Sequence, residues 1–142
     1  VDPLTSVGAR DQGVTRVLVV ERDLPMRGLV EHFLRAAGYI VEFADDGQAA
    51  LAQARAWRPD LVITEILVPK LDGLALCRHL KADHGTREIP VLVFSILASS
   101  VRAKEAGADA FLMKPLAEQR LLGAMQQLLE KRLAAKTAEQ SI

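Results

Sequence analysis

The sequence predicts a doubly wound α/β domain with a mainly parallel sheet, and three observations predict it. Five short apolar runs alternate with five amphipathic stretches. Most of the runs are nearly continuous in Val, Ile, Leu and Phe. Each is bounded by breakers or charges. Unbroken apolar runs of this length are strands covered on both faces, which is the signature of a parallel sheet. Strict strand–helix alternation then implies right-handed crossovers and helices on both sides.

The strands are expected at residues 17–20, 40–43, Leu61–Thr64, Val91–Ser95 and Ala110–Met113. After Pro25 a first helix carries Leu29, Val30, Phe33, Leu34 and Ala37 on one face, and Gly38 stops it. Asp46 caps a second helix bearing Ala50, Leu51, Ala54 and Trp57, ended by Arg58 and Pro59. Leu74, Cys77 and Leu80 mark a third helix that starts after Asp72 and Gly73. Residues 98–106 form a short fourth helix closed by Gly107. Leu121, Leu122, Met125, Leu128, Leu129 and Leu133 stripe the fifth. These stripes are core faces.

With 142 residues, half of them hydrophobic, the chain has enough apolar mass for one core and not for two. Residues 1–14 read as a disordered head, 15–131 as the domain, and 132–142 as the end of the last helix and a flexible tail. Lys+Arg and Asp+Glu balance at 18 each, which does not make the footprint of a nucleic-acid binder. Cys77 is the single cysteine, so no intrachain disulfide forms; a core thiol in a reducing cytoplasm is expected. No apolar run approaches the length of a membrane span. His32, His79 and His84 have no metal-ligand spacing, and no phosphate-binding glycine loop or hydrolase triad is present.

In a doubly wound sheet, functional groups gather at the carboxyl ends of the strands. Those ends are polar in four of the five strands: Glu21, Arg22 and Asp23; Thr64 and Glu65; Ser95; and Lys114, followed by Pro115. Any one of them alone is an ordinary surface charge. Repetition at equivalent positions is what makes Glu65 the centre of a candidate site.

These residues also carry a resemblance. The run Val17, Leu18, Val19, Val20, Glu21, Arg22, Asp23 resembles the first strand and acidic loop of response-regulator receiver domains of the CheY-like, flavodoxin-like (βα)5 fold. The segment from Pro59 through Glu65, with Pro69, Lys70, Leu71, Asp72 and Gly73 beyond it, resembles their phosphoacceptor strand and loop. The segment from Gly107 to Pro115 resembles their last strand. The resemblance implies the strand order 2-1-3-4-5, which brings Glu21, Arg22, Glu65, Ser95 and Lys114 together. It also implies roles. An Asp at the position of Glu65 accepts a phosphoryl group from a histidine kinase. Acidic residues at the positions of Glu21 and Arg22 hold Mg²⁺. A Ser/Thr and a Lys at Ser95 and Lys114 contact the phosphoryl oxygens. An aromatic residue at Phe111 switches rotamer, and the Lys114–Pro115 bond is cis.

Two central residues depart from that pattern. Glu65 replaces the phosphoacceptor Asp, and Arg22 replaces a metal-binding Asp. Mg²⁺ requires carboxylate oxygens, so exchanging one for a guanidinium predicts weak or absent Mg²⁺ binding. Arg22 and Lys114 are expected to pair with Glu65 and keep it ionised, a partial mimic of aspartyl phosphate. Ile96 stands where a small residue belongs and is expected to crowd the phosphate pocket. The segment between Ser95 and Gly107 is short by about one helical turn.

The expectation is therefore a non-enzymatic pseudo-receiver of a two-component phosphorelay, independent of phosphorylation and acting by contact with a histidine kinase or another signalling protein. A homodimer through the fourth helix, fifth strand and fifth helix is included in it. The competing readings are a relic in which Glu65 is drift and Arg22 faces solvent, a receiver that uses Thr64 or Ser95 as acceptor, and a small α/β cofactor-binding enzyme.

Overall fold

A computed structural model describes residues 14–115 and 117–141. Five strands, β1 (Arg16–Val20), β2 (Ile40–Ala44), β3 (Leu61–Thr64), β4 (Val91–Ser95) and β5 (Ala110–Met113), form one parallel sheet in the order β2-β1-β3-β4-β5. Five helices alternate with them: α1 (Leu24–Ala36), α2 (Gly47–Trp57), α3 (Gly73–Ala82), α4 (Ser100–Glu105) and α5 (Glu118–Ser141).

The alternation along each strand divides the core in two. Val17, Val19, Leu61, Ile63, Leu92 and Phe94 face Val30 and Leu34 of α1 and Leu121, Met125 and Leu128 of α5. Leu18, Val20, Val62, Val91 and Val93 face Ala50 and Ala54 of α2, Leu74, Leu76, Cys77 and Leu80 of α3, and Ala103 of α4. A parallel strand buried on both sides has no polar face to offer, which is why the runs read as continuous. Each fully buried leucine in these layers contributes about 1.5–3 kcal/mol. Cys77 lies in the second layer, where burial pushes its thiol up to about 11, so it packs as a small hydrophobe.

Local chemistry sets the helix ends. Asp23, Asp46 and Asp72 each accept an amide from the first turn, at 3.0, 2.7 and 2.9 Å. Arg58 closes α2 in the left-handed region, and Gly38 and Gly107 turn the chain after α1 and α4 with φ of 96° and 97°.

Two expectations are corrected. The fourth helix is shorter than residues 98–106 and starts at Ser100. Ser99 supplies no side-chain cap, and the Leu97 amide is drawn back to the Ser95 hydroxyl at 3.1 Å. At the other end, the described part of the segment expected as the end of the last helix and a flexible tail is helical through Ser141. Ala134, Ala135, Lys136, Ala138 and Glu139 are good helix formers, with no Gly or Pro among them. The expected disordered head lies outside the described residues, apart from Val14. No described helix is long and apolar enough to cross a membrane.

Candidate functional site

The parallel ladder runs one residue past the strands, and that extension builds the site. The Glu21 amide donates to the Ala44 carbonyl, Glu65 to Val20 and Lys114 to Ser95, at 3.2, 3.0 and 2.8 Å. Glu21, Glu65, Ser95 and Lys114 are thereby aligned along the carboxyl edge of β1, β3, β4 and β5.

Glu65 lies under the backbone of the loop that follows it. Its Oε1 accepts the Ile66 amide at 2.7 Å, the Leu67 amide at 3.3 Å and the Ser95 hydroxyl. Its Oε2 meets Lys114 Nζ at 2.8 Å and the Ile96 amide at 3.4 Å. A carboxylate has about four lone-pair sites, so five facing donors saturate it. Lys114 Nζ also meets Glu21 Oε1 at 2.6 Å. The other Glu21 oxygen accepts the Arg22 and Asp23 amides at 3.1 and 3.2 Å. The Lys114 ammonium stands 5.4 Å from the centroid of the Phe94 ring, within the range of a cation–π contact. The side chains of Glu21, Glu65 and Lys114 are only 6%, 5% and 7% exposed.

Burial opposes charge on Glu65. The Lys114 and Ser95 hydrogen bonds, the Lys114 charge and the Ile66 amide outweigh it, so the carboxyl titrates below the ordinary glutamate value. Burial likewise opposes charge on Lys114, and Glu21 and Glu65 outweigh it in the other direction, raising its pKa. Both shifts favour the charged forms of Glu65 and Lys114, and the cluster sets two carboxylates against one ammonium.

The remaining residues take different places. Arg22 does not pair with Glu65: its side chain is exposed, and no ion pair among the described residues includes it. Lys114 has already taken both carboxylates, and the Glu21 and Asp23 caps hold the Arg22 backbone at the edge with its side chain outward. Lys114 is therefore the only one of the two expected cations that holds Glu65. Asp23 points elsewhere as well, since its carboxylate caps α1. Ile96 borders the cleft above the site rather than filling it, with 57% of the residue exposed. Ser95 turns inward to Glu65, so the next side chain turns outward. Phe111 is half-buried against the α2–α4 layer. The Lys114–Pro115 peptide is cis.

Mg²⁺, which the family resemblance implies, does not fit these residues. Both carboxylates are engaged by one ammonium, Glu65 has no lone pair to spare, and Arg22 brings a further positive charge to the cleft. Among the described residues no group of three or more acidic, His or Cys side chains is placed to hold a metal.

Four contributors escaped the sequence reading. Phe94 read only as core, yet its ring backs Lys114. Leu24 and Leu67 carry no signal in the sequence, yet they border the site, 73% and 53% exposed. Gly73 read as a helix start. A Cβ there would come within 2.2 Å of the Glu65 carbonyl oxygen, so α3 can approach the site backbone only through glycine. The pairing of Asp72 with Gly73 was the available signal.

Comparison with known proteins agrees with this architecture. The response regulator receiver domain family profile matches residues 17–126. The response regulator MprA of Mycolicibacterium vanbaalenii is 38% identical over 119 residues, covering 82% of this chain and 51% of that protein. The chain thus spans about half the length of the curated relatives it matches. Among solved structures, a putative response regulator from Chloroflexus aurantiacus aligns with a TM-score of 0.79 at 31% identity, over 82% of this chain and 98% of that one. The receiver domain of a signal transduction histidine kinase from Syntrophus aciditrophicus aligns with a TM-score of 0.79 at 36% identity, over 83% and 92%.

Proposed function

This chain belongs to the response regulator receiver domain family, and we propose that it signals with its phosphoacceptor position chemically closed. The observation that carries this reading is the saturation of Glu65. Ser95 and Lys114, the two groups that would contact phosphoryl oxygens in a receiver, are already bound to the Glu65 carboxylate. The longer acidic side chain takes for itself the donors that phosphate would use. It does so with one negative charge instead of about two, so it imitates a phosphorylated site only in part.

The substitute acceptors are poorly placed. Thr64 and Ser95 are both 0% exposed, and their hydroxyls are committed to the Glu65 carbonyl and carboxylate. Output by protein–protein contact follows, to a histidine kinase or another signalling protein. The α4–β5–α5 face is the proposed surface, where Val101 and Met113 stand 69% and 48% exposed. A homodimer would use the same face.

Acetyl phosphate with Mg²⁺, read by intact mass, tests the proposal. The chain is expected to stay unmodified, and a stoichiometric acyl phosphate overturns the closed-site reading. The Glu65→Asp, Arg22→Asp double variant is expected to gain both Mg²⁺ binding and phosphorylation. Failure of that variant would move the block to Ile96 and the shortened α4 segment.

A further inference from the structure

Above the Glu21–Lys114–Glu65 cluster, the loops after β1, β3 and β4 enclose a cleft of about 680 Å³. Small-molecule sites measure about 300–1,000 Å³ and combine apolar walls with a few polar groups. This cleft has that make-up. Leu24, Leu67 and Ile96 border it at 73%, 53% and 57% exposure, and Pro25 and Met26 complete the apolar wall. Eight large hydrophobic residues are exposed among those described, and these three surround one opening. Scattered singly they would mean little; gathered at the mouth of a cleft they mark a contact surface.

The polar groups of the cleft decide the ligand class. Glu21 and Glu65 are held by Lys114 and by backbone amides, and Asp23 caps α1. Arg22 lines the same cleft, and its guanidinium has no ion-pair partner among the described residues. Among the described residues, the one charged side chain on the wall with neither a hydrogen-bond nor an ion-pair partner is therefore positive, planar and suited to a carboxylate through two parallel hydrogen bonds. The cluster beneath carries one net negative charge and Asp23 another, so a dianion is repelled and a single negative charge is the most that Arg22 can balance.

We infer that the cleft binds a small amphiphilic monoanion, with an aromatic or branched apolar body against Leu24, Leu67 and Ile96 and one carboxylate on Arg22. The inference rests on the closed-site reading, since a phosphoryl group and its metal would occupy the same mouth. Ligand occupancy would alter the loops after β1, β3 and β4, and would give a receiver without phosphorylation chemistry a chemical input.

The test is a titration of the whole chain with 1-naphthoate and its neutral isostere 1-naphthamide, followed by amide NMR shifts. Saturable shifts are expected at Leu24, Leu67 and Ile96, with the naphthoate bound about tenfold more tightly, a difference of about 1.4 kcal/mol. Arg22→Gln, at an exposed position, is expected to erase that preference while the amide still binds. Ile96→Asp is expected to weaken both ligands. Equal affinity for the two ligands in the unmodified chain overturns the assignment, as does the absence of saturable shifts or shifts centred on another surface. Acetyl phosphate treatment of the same sample separates the two readings. An acyl phosphate there overturns the closed site, whereas a failed naphthoate titration on an unmodified chain overturns the ligand cleft alone.

Discussion

Each end of the sheet holds a lysine against carboxylate, and the two lysines live in different conditions. At the amino end, Lys81 Nζ meets Asp109 at 2.7 Å and the Ile89 carbonyl at 2.9 Å, with the two ionic side chains 22% and 38% exposed. Asp109 also accepts the Val91 amide at 2.8 Å, so the contact fastens α3 to the entrances of β4 and β5. At the carboxyl end, Lys114 serves two carboxylates, and all three side chains are at most 7% exposed. The first pair is balanced, wetted and structural. The second is dry and short of one positive charge. A fold gains little from burying two glutamates on one lysine, because desolvating charge consumes most of the attraction. The imbalance therefore marks the carboxyl end as the place where the chain is organised for something other than stability.

The largest expected effect breaks that contrast directly. Lys114→Met leaves Glu21 and Glu65 buried without a cation and is expected to cost about 3–5 kcal/mol in urea unfolding at neutral pH. The loss should shrink as acid protonates the stranded carboxylates. A loss of under about 1 kcal/mol, the usual value of an exposed pair, would make the two lysines energetically alike.

A smaller effect lies in the pH dependence. The folded Glu65 pKa is depressed, so its contribution is present above its unfolded value, about 4.3, and is lost as pH falls through the folded value. The folded Lys114 pKa is raised, so its contribution is present below about 10.4 and is lost as pH rises through the folded value. Glu65→Gln is expected to flatten the acid limb of a stability–pH curve. An unchanged acid limb would show that Glu65 is not the carboxylate Lys114 holds.

The smallest effect is at the opposite end. Lys81→Met is expected to cost less than about 1 kcal/mol, because water reaches both partners and Asp109 keeps its bond to the Val91 amide. The cost should fall further at high salt. A loss comparable to that of Lys114→Met would mean that scaffold and site are stabilised in the same way.

Much of this was legible beforehand, for reasons that can be stated. The strands at Leu61–Thr64 and Val91–Ser95 were legible to the residue because both faces are buried, and the edge strand Ala110–Met113 because its four residues are all apolar. Asp46 and Asp72 were readable as helix starts because an Asx cap acts within four residues. Glu21, Glu65, Ser95 and Lys114 were readable as a group because they occupy equivalent strand-end positions. Arg22 was misread because its direction depends on which cation reaches Glu65 first, and sequence spacing holds no information on that. Phe94 was missed because its buried face and its cation–π face belong to one ring. How far α5 extends into 132–142 was not legible because polar composition was weighed above helix propensity.

The sequence by itself determined the parallel sheet, the two-layered core and the row of polar strand ends, since all three follow from periodicity and from residues adjacent in the chain. The tertiary structure alone decided that one ammonium would hold both glutamates and that Glu65 would be saturated. It also decided that Arg22 would stand at the mouth of the cleft with no ion-pair partner among the described residues. Those outcomes depend on competition among groups up to 93 residues apart, and only the folded geometry ranks such competitors by distance and by access to water.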